Sequence, residues 1–384
     1  MGQIDLKPMK TAIVGCGAIS DIFFQNFTKR FEMIDLKYCC SKGGASAAQK
    51  AQQYGIKNST LEEILADSEI ELIINATPTS QHYDIIKAAL DAGQHVFTEK
   101  VITTDFKKAQ ELRDLAHKKG LYLCSEPDHF MGAAWQCARE YIDAGIVGKV
   151  SSVIATASQN QDGLMDFLRY TNEPGGGPGF DYGIYLITQM VALFGPVKEV
   201  CGTMQTTNPH HVHRRISRPE LGHSYEAMNE DLVSATLVFH SGVIATVHLD
   251  ANSIIEAPAP FMIYGKYGVL EMPRPSEFSG EVKLHRQDSH EPSLLQPIHG
   301  FDHDSRGVGA AEMAWAIRMG RTPRAEASLG IHCLEICQGI LASGRTRSFY
   351  QMTTTCEQPA PLPKGYRGFP MFYHDEEASL IFLE

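Results

Sequence analysis

The sequence predicts an α/β protein: an N-terminal Rossmann domain with a doubly wound parallel sheet, then a C-terminal α+β domain with a large open, mainly antiparallel sheet. Three observations predict it. An apolar strand enters a glycine turn and then a helix at Thr11 to Ser20, T-A-I-V-G-C-G-A-I-S. Short apolar runs then alternate with helical spacing up to about residue 125, the pattern of βαβ units. Beyond residue 127 the runs lengthen and alternate polar with apolar, as in a half-solvated antiparallel sheet. The chain has 384 residues, too many for one typical core, so two domains are expected, 1–127 and 128–384.

The first turn sets the chemistry. Gly15 and Gly17 carry no Cβ, which permits a tight turn and close ligand approach. Ala18, Ile19, Ile22, Phe23 and Phe27 follow with helical spacing. Strand, turn and helix start converge amide N–H groups and a positive dipole end on one point, which suits a pyrophosphate. The motif is G-x-G-x-x-S, with Ser20 replacing the third glycine, and the competing reading is an ordinary βα turn.

The next strand, Ile34 to Cys40, ends at Ser41 and Lys42, where an adenosine ribose would lie. Asp35 has the nominal spacing for an acidic ribose partner but starts the strand, at the wrong end. A hydroxyl and a cation favour NADP(H) over NAD(H); a solvated loop lysine is the competing reading of Lys42. Helices follow at Ala45 to Tyr54 and Leu61 to Ala66, the latter opened by a Ser59/Glu62 capping box. Glu71 to Asn75 is a strand that turns at A-T-P-T, because Pro78 cannot continue it. A helix, Ser80 to Asp91, stops at Gly93. The strand Gln94 to Thr98 ends in Glu99-Lys100, the second anchor. A lysine at a strand's carboxyl end faces the ligand crevice of this architecture and can hydrogen-bond a reacting hydroxyl; a surface loop lysine is the alternative. The helix Asp105 to Lys119 and strand Leu121 to Ser125 complete the domain.

Composition sets limits. Hydrophobic residues make up 43%, charged residues 21%, and the formal net charge is −11, which argues against a nucleic-acid partner. No apolar run approaches the roughly 18 residues needed to span a bilayer, and the start MGQIDLKPMK lacks a signal-peptide core. Nine cysteines without a C-x-x-C pair fit reduced thiols in a cytoplasm and indicate no metal site.

In the second half a helix spans Ala133 to Ala144. Strands follow at Val150 to Ala157, Lys198 to Thr206, Asp231 to Phe239, Val243 to Ala251, Phe261 to Gly265 and Val269 to Met272. His240-Ser241-Gly242 reads as a hairpin turn. One sheet face is left to pair with another copy, as a homodimer or homotetramer. Asp181 and Tyr185, four apart after the run Gly175 to Gly179, share a helix face. They read as a proton-handling pair, or as a helix N-terminal carboxylate and a core tyrosine. His210, His211 and His213 with Arg214 and Arg215 read as a solvated loop. His299, Asp302, His303, Asp304 and Arg306 precede the helix Val308 to Met319 and are placed to line a sugar pocket.

Together G-C-G-A-I-S, A-T-P-T, E-K and G-G-G-P-G-F-D-Y-G-I-Y resemble the glucose–fructose oxidoreductase / inositol dehydrogenase / rhizopine-catabolism (Gfo/Idh/MocA) family. E-P-D-H-F-M-G, F-M-I-Y-G-K-Y-G-V-L-E-M and S-R-G-V-G-A-A-E-M-A-W-A-I extend the resemblance over nearly the whole chain. It implies an NAD(P)-dependent oxidoreductase acting on a sugar, polyol or glycoside, including oxidation at glycoside C3. An NAD-dependent glycosidase and a non-catalytic NAD(P)-sensing regulator are the rival readings within the family. The family's E-K-P lysine maps to Lys100, with Val101 in place of the proline, and its D-x-G-x-H pair to Asp181 and Tyr185, with tyrosine in place of histidine. The implied catalytic set is Lys100, Asp181 and Tyr185, with Tyr185 as general base, Lys100 lowering its pKa and Asp181 orienting the substrate. The implied cofactor set is Gly15, Gly17, Ala18, Ile19, Ser41, Lys42, Thr77, Pro78, His82, Glu99 and Lys100. The substrate set is Asp128, His129, Arg169, Asp302 and Arg306, and the loop Gln159 to Arg169 shapes the pocket mouth.

Overall fold

The computed structural model describes residues 7–160, 163, 168–173, 175–253 and 260–363. The chain forms two compact units. One takes the chain up to Gln136, Pro297–Ile331 and the segment from Pro359; the other takes Cys137–Gln296 and His332–Gln358.

The first unit is built on β1 (Met9–Val14), α1 (Ser20–Lys29), β2 (Ile34–Cys40), α2 (Ala45–Tyr54), β3 (Lys57–Asn58), α3 (Leu61–Ala66) and β4 (Leu72–Asn75). It continues with α4 (His82–Asp91), β5 (His95–Thr98), α5 (Phe106–Lys118) and β6 (Leu123–Ser125). The six strands run parallel in the order β3-β2-β1-β4-β5-β6. The order reverses at β1 and β4, so a crevice opens at their carboxyl ends, where ligands bind in such sheets. Strand residues such as Ile13, Leu72, Ile73, Ile74, Val96 and Phe97 are fully buried, as expected of a sheet covered on both faces. Helix ends follow the glycines: Gly93 and Gly120 stop α4 and α5 with φ of 87° and 69°, conformations that glycine adopts at little cost.

The second unit carries most of α6 (Ala133–Asp143), then β7 (Val150–Ser158), α7 (Ile184–Phe194), β8 (Val197–Gln205), β9 (His210–Val212), β10 (Ser224–Glu226), β11 (Leu232–Phe239) and β12 (Ile244–Asp250). After these come β13 (Phe261–Gly265), β14 (Val269–Met272), β15 (Val282–His285) and β16 (Ser293–Leu295). The last elements of the chain are α8 (Val308–Arg318), in the first unit, then α9 (Ala327–Thr346) and β17 (Tyr350–Gln351). Nine strands form one sheet in the order β16-β15-β14-β13-β7-β12-β11-β8-β17, antiparallel except for the β7–β12 pair. Val153, Ala155, Ala245 and Val247 are buried on one face, while Ile154 and Ile244 stand 40% and 48% exposed on the other. The β11–β12 hairpin closes at Gly242, φ 87°.

Several expectations shift. The cap of α3 is Thr60, not Ser59: Glu63 N–H donates to Thr60 Oγ1 at 3.2 Å and Thr60 N–H to Glu63 Oε2 at 3.2 Å. The histidine-rich stretch is no plain loop, because β9 and β10 pair as a two-stranded ribbon and His211 and His213 pack on the Tyr225 ring. β15 to β17 were not foreseen. Of the loop 159–169, residues 161, 162 and 164–167 lie outside the described residues, as do residues 1–6 of the N-terminal start. Among the described residues no helix is long and apolar enough to cross a membrane.

Candidate active site

The glycine turn is fixed by what it touches. Gly15 has φ +102°, and a Cβ there would lie 2.6 Å from the Ala76 carbonyl carbon and oxygen. No other residue fits that contact between the ends of β1 and β4. Its amide donates to Cys40 O at 2.9 Å. A Cβ on Gly17 would meet nothing within 4 Å, and Gly17, Ala18 and Ile19 are exposed. Ser20 is buried and donates to Gly17 O at 2.6 Å, so the serine does the close packing of the third glycine. α1 starts with no side-chain cap, which leaves its first amides for an anion. A backbone pressed on one side and open on the other, under an uncapped helix start, fits a dinucleotide pyrophosphate.

The neighbouring strand ends are tied together. Asn75 Nδ2 donates to Thr98 Oγ1 at 3.0 Å, and Asn75 Oδ1 accepts from Thr77 Oγ1 at 2.7 Å. This shapes the turn that carries Thr77 and Pro78. His82 is fully buried, with Nδ1 2.8 Å from Val101 O and Nε2 2.9 Å from Thr77 O. It therefore joins the turn after β4 to the turn after β5, and burial holds its pKa below the ordinary value. The Lys100–Val101 peptide is cis although no proline follows. Glu99 is buried and accepts from Lys100 N–H at 3.2 Å; burial raises its pKa, opposed by Lys100 and Arg306. At the end of β2, Ser41 Oγ accepts from Ala47 N–H at 3.3 Å and Lys42 is exposed.

Two buried carboxylates follow β6. Glu126 Oε2 accepts from Asp128 N–H at 2.8 Å. Asp128 Oδ2 accepts from Gly307 and Gly309 N–H at 3.0 and 2.8 Å, which caps α8 from a distant strand end. Among the described residues, nothing lies within hydrogen-bond geometry of Glu126 Oε1 or Asp128 Oδ1. Glu126, Asp128 and His129 bring ligand-type atoms within 4.8 Å of one another. Asp128 and His129 are wholly buried, whereas Asp302 is exposed and Arg306 pairs with Asp304. These last residues belong to the first unit, not to a C-terminal domain.

In the second unit, a π-helical turn, Gly179–Gly183, leads into α7. Single π turns often mark functional sites. Asp181 is 9% exposed and its Oδ1 accepts from Tyr170 OH at 2.8 Å. Tyr185 lies one turn on and is half-buried. Arg169 is held by Glu220 Oε1 at 2.6 Å with its side chain 54% exposed. Asn75, Glu126 and Tyr170 join these clusters without a sequence motif to mark them. Asn75, a polar side chain ending the apolar run L-I-I-N, was the detectable one.

A model of the oxidoreductase family with an NAD-binding Rossmann fold, Gfo/Idh/MocA, matches residues 9–126, and that family's C-terminal domain matches 135–271. The chain belongs to the Gfo/Idh/MocA oxidoreductase family. Among its relatives, an uncharacterised oxidoreductase of Schizosaccharomyces pombe is 30% identical over 205 residues, 52% of this chain and 56% of the relative. The matched stretch thus spans little more than half of that relative's length. D-glucoside 3-dehydrogenase of Escherichia coli is 25% identical over 249 residues, 62% of this chain and 69% of the relative. Levoglucosan dehydrogenase in complex with NADH shares the fold, with a TM-score of 0.77 at 18% identity over 90% of this chain and 100% of that one. Family membership accounts for the Rossmann unit and the large sheet.

Proposed function

We propose that this chain is an NAD(P)-dependent oxidoreductase that moves a hydride between nicotinamide C4 and a secondary carbinol carbon of a sugar, polyol or glycoside. The observation that carries the reading is Lys100 on the strand end after buried Glu99, in the same carboxyl-edge layer as the Gly15 turn. The likeness to D-glucoside 3-dehydrogenase and to levoglucosan dehydrogenase supports a sugar-like substrate.

The nicotinamide supplies the hydride chemistry when bound, and the protein sets distance and electrostatics. Gly15 to Ile19 receive the pyrophosphate through backbone amides. His82 and Asn75 hold the turns that carry Thr77, Pro78 and Lys100. The Lys100 ammonium binds the oxygen of the reacting hydroxyl and stabilises its negative charge. Tyr185 takes the hydroxyl proton as general base. Asp181, steadied by Tyr170, orients the substrate. Arg169, Asp128, His129, Asp302 and Arg306 stay as candidate substrate-side residues. We assign Lys42 to a 2′-phosphate, which favours NADP(H). The exposed face of the large sheet, bearing Ile154 and Ile244, is our candidate contact with a second copy.

The test is a screen of sugars, inositols and glycosides with NAD and NADP, followed by nicotinamide absorbance. At least one substrate should give turnover, faster with NADP. Lys100→Ala should lower that turnover by about 100-fold or more, the usual scale for an acid–base group. Near-normal turnover removes Lys100 from the mechanism. Saturation by NAD alone refutes the role of Lys42, and glycoside cleavage without net cofactor reduction refutes the dehydrogenase reading.

A further inference from the structure

We propose that Asn172 and Asn229 are positioning residues for the substrate. They fasten the turn that carries Tyr170 to the β9–β10 ribbon, and through Tyr170 they fix the carboxylate of Asp181. This rests on the reading of Asp181 as the group that orients the substrate.

A continuous run of hydrogen bonds leads from the large sheet to Asp181. Asp231 is buried just before β11, and its carboxylate accepts from the Thr207 and Asn208 N–H groups at 2.8 Å. It thereby pins the chain that enters β9. The ribbon closes on its own ladder, with Tyr225 opposite His211 and Glu226 opposite His210, and Ala227 N–H donates to Pro209 O at 2.9 Å. Its outer edge meets the short helical turn Arg169–Asn172. Asn172 Nδ2 donates to Glu226 O at 2.9 Å, and Asn172 Oδ1 accepts from Met228 N–H at 2.8 Å. Asn229 Nδ2 donates to Thr171 O at 3.0 Å and to Glu173 O at 2.9 Å. The ion pair of Arg169 with Glu220, between β9 and β10, is a third tie. From the turn so held, Tyr170 OH donates to Asp181 Oδ1 at 2.8 Å.

The residue types suit the task. A primary amide carries a donor and an acceptor side by side, so Asn172 meets the edge of β10 as the backbone of a further strand would. Alanine at 172 offers neither group, and aspartate offers no donor to Glu226 O. Three of the four amide bonds lie at the surface, where water replaces a lost partner, so the fold survives their removal. What they hold is orientation. Without them the turn loses its register against Gly179–Gly183, and the Tyr170 hydroxyl leaves its contact. Asp181 then has rotamer freedom to give up when substrate binds. The effect falls on substrate binding rather than on hydride transfer, because Asp181 orients and does not take the proton.

The test joins a double-mutant cycle to hydrogen exchange, both on the full chain. Asn172→Ala and Tyr170→Phe should each raise KM for the substrate found in the screen by about three- to tenfold, the scale of one hydrogen bond. Each should leave kcat within about twofold, the signature of lost uniform binding. The double variant should match the single ones, because both act through one hydroxyl. Affinity for NADH and NADPH should be unchanged in all three. Amide exchange over residues 168–173 should be faster in Asn172→Ala, with β11 exchanging as in the wild type. Should Asn172→Ala not fold, Asn229→Ala takes its place with the same expected results. KM effects that add in the double variant, a loss confined to kcat, or unchanged exchange over 168–173 overturns the proposal. A wild type that turns over no sugar, polyol or glycoside overturns the substrate reading instead, and exchange over 168–173 then decides the clamp alone.

Discussion

Glu126 is a buried carboxyl whose surroundings favour its protonated form. Burial, with Asp128 and Glu99 nearby, raises its pKa well above the ordinary carboxylate value, while in the unfolded chain it ionises near about 4.3. Above the unfolded value the folded state therefore holds this proton more tightly than the unfolded state. Stability from this group is fully present below the unfolded value and falls as pH rises towards the folded one. Asp128 adds the same sign over a narrower window, from 3.8 to about 6. Wild-type unfolding free energy should thus fall as pH rises above about 4.3, by up to roughly 1.4 kcal/mol per pH unit from Glu126. Glu126→Gln keeps the shape without the proton, and its urea-unfolding profile should be flatter there. Equal slopes in both proteins would contradict the assignment. No spacing rule points to Glu126: Asp128 and His129 lie close to it in sequence, but its burial and its neighbour Glu99, at the end of the adjacent strand, do not show there. Lys100 stands out as a candidate because a charge closing a buried strand is conspicuous in sequence.

At the scale of elements, the helix starts show what local sequence can and cannot decide. Ser59 and Thr60 both precede α3, each with a glutamate three residues on. Thr60 is the cap because its backbone is extended, φ −92° and ψ 160°, and its own bonds to Glu63 close the box. Thr60→Ala should cost about 0.5–2 kcal/mol and Ser59→Ala clearly less. Chemical denaturation of the two variants measures this, and the reverse order would contradict the cap. The first strand, the glycine turn, α2, α4, α5 and the β11–β12 hairpin were readable from apolar period and glycine stops. β15, β16 and β17 were not. They are short, and β17 has two residues that pair with β8 across some 150 positions of chain. The β9–β10 ribbon escaped because its stabilising contacts, His211 and His213 on Tyr225, come from residues that read as polar loop.

At the scale of the molecule, the chain returns to its first unit after building the second sheet. Asp128 accepting from Gly307 and Gly309, and Arg318 pairing with Glu71 at 2.8 Å, fasten that returning segment. Sequence order hides such long-range contacts, which is why Asp302 and Arg306 looked like part of a C-terminal domain. The nine-stranded sheet leaves Ile154 and Ile244 side by side on its exposed face, since Ile154 pairs with Thr246 and Ser152 with Ile244. Light scattering should give the mass of a dimer or tetramer, and Ile154→Lys with Ile244→Lys should shift it to the monomer; an unchanged mass would move the interface elsewhere. The central claim is direct hydride transfer, and reduced cofactor carrying deuterium at nicotinamide C4 tests it most directly. With the ketone form of a substrate found in the screen, the deuterium should appear on the new carbinol carbon of the product. Hydrogen drawn from solvent at that carbon would contradict the account.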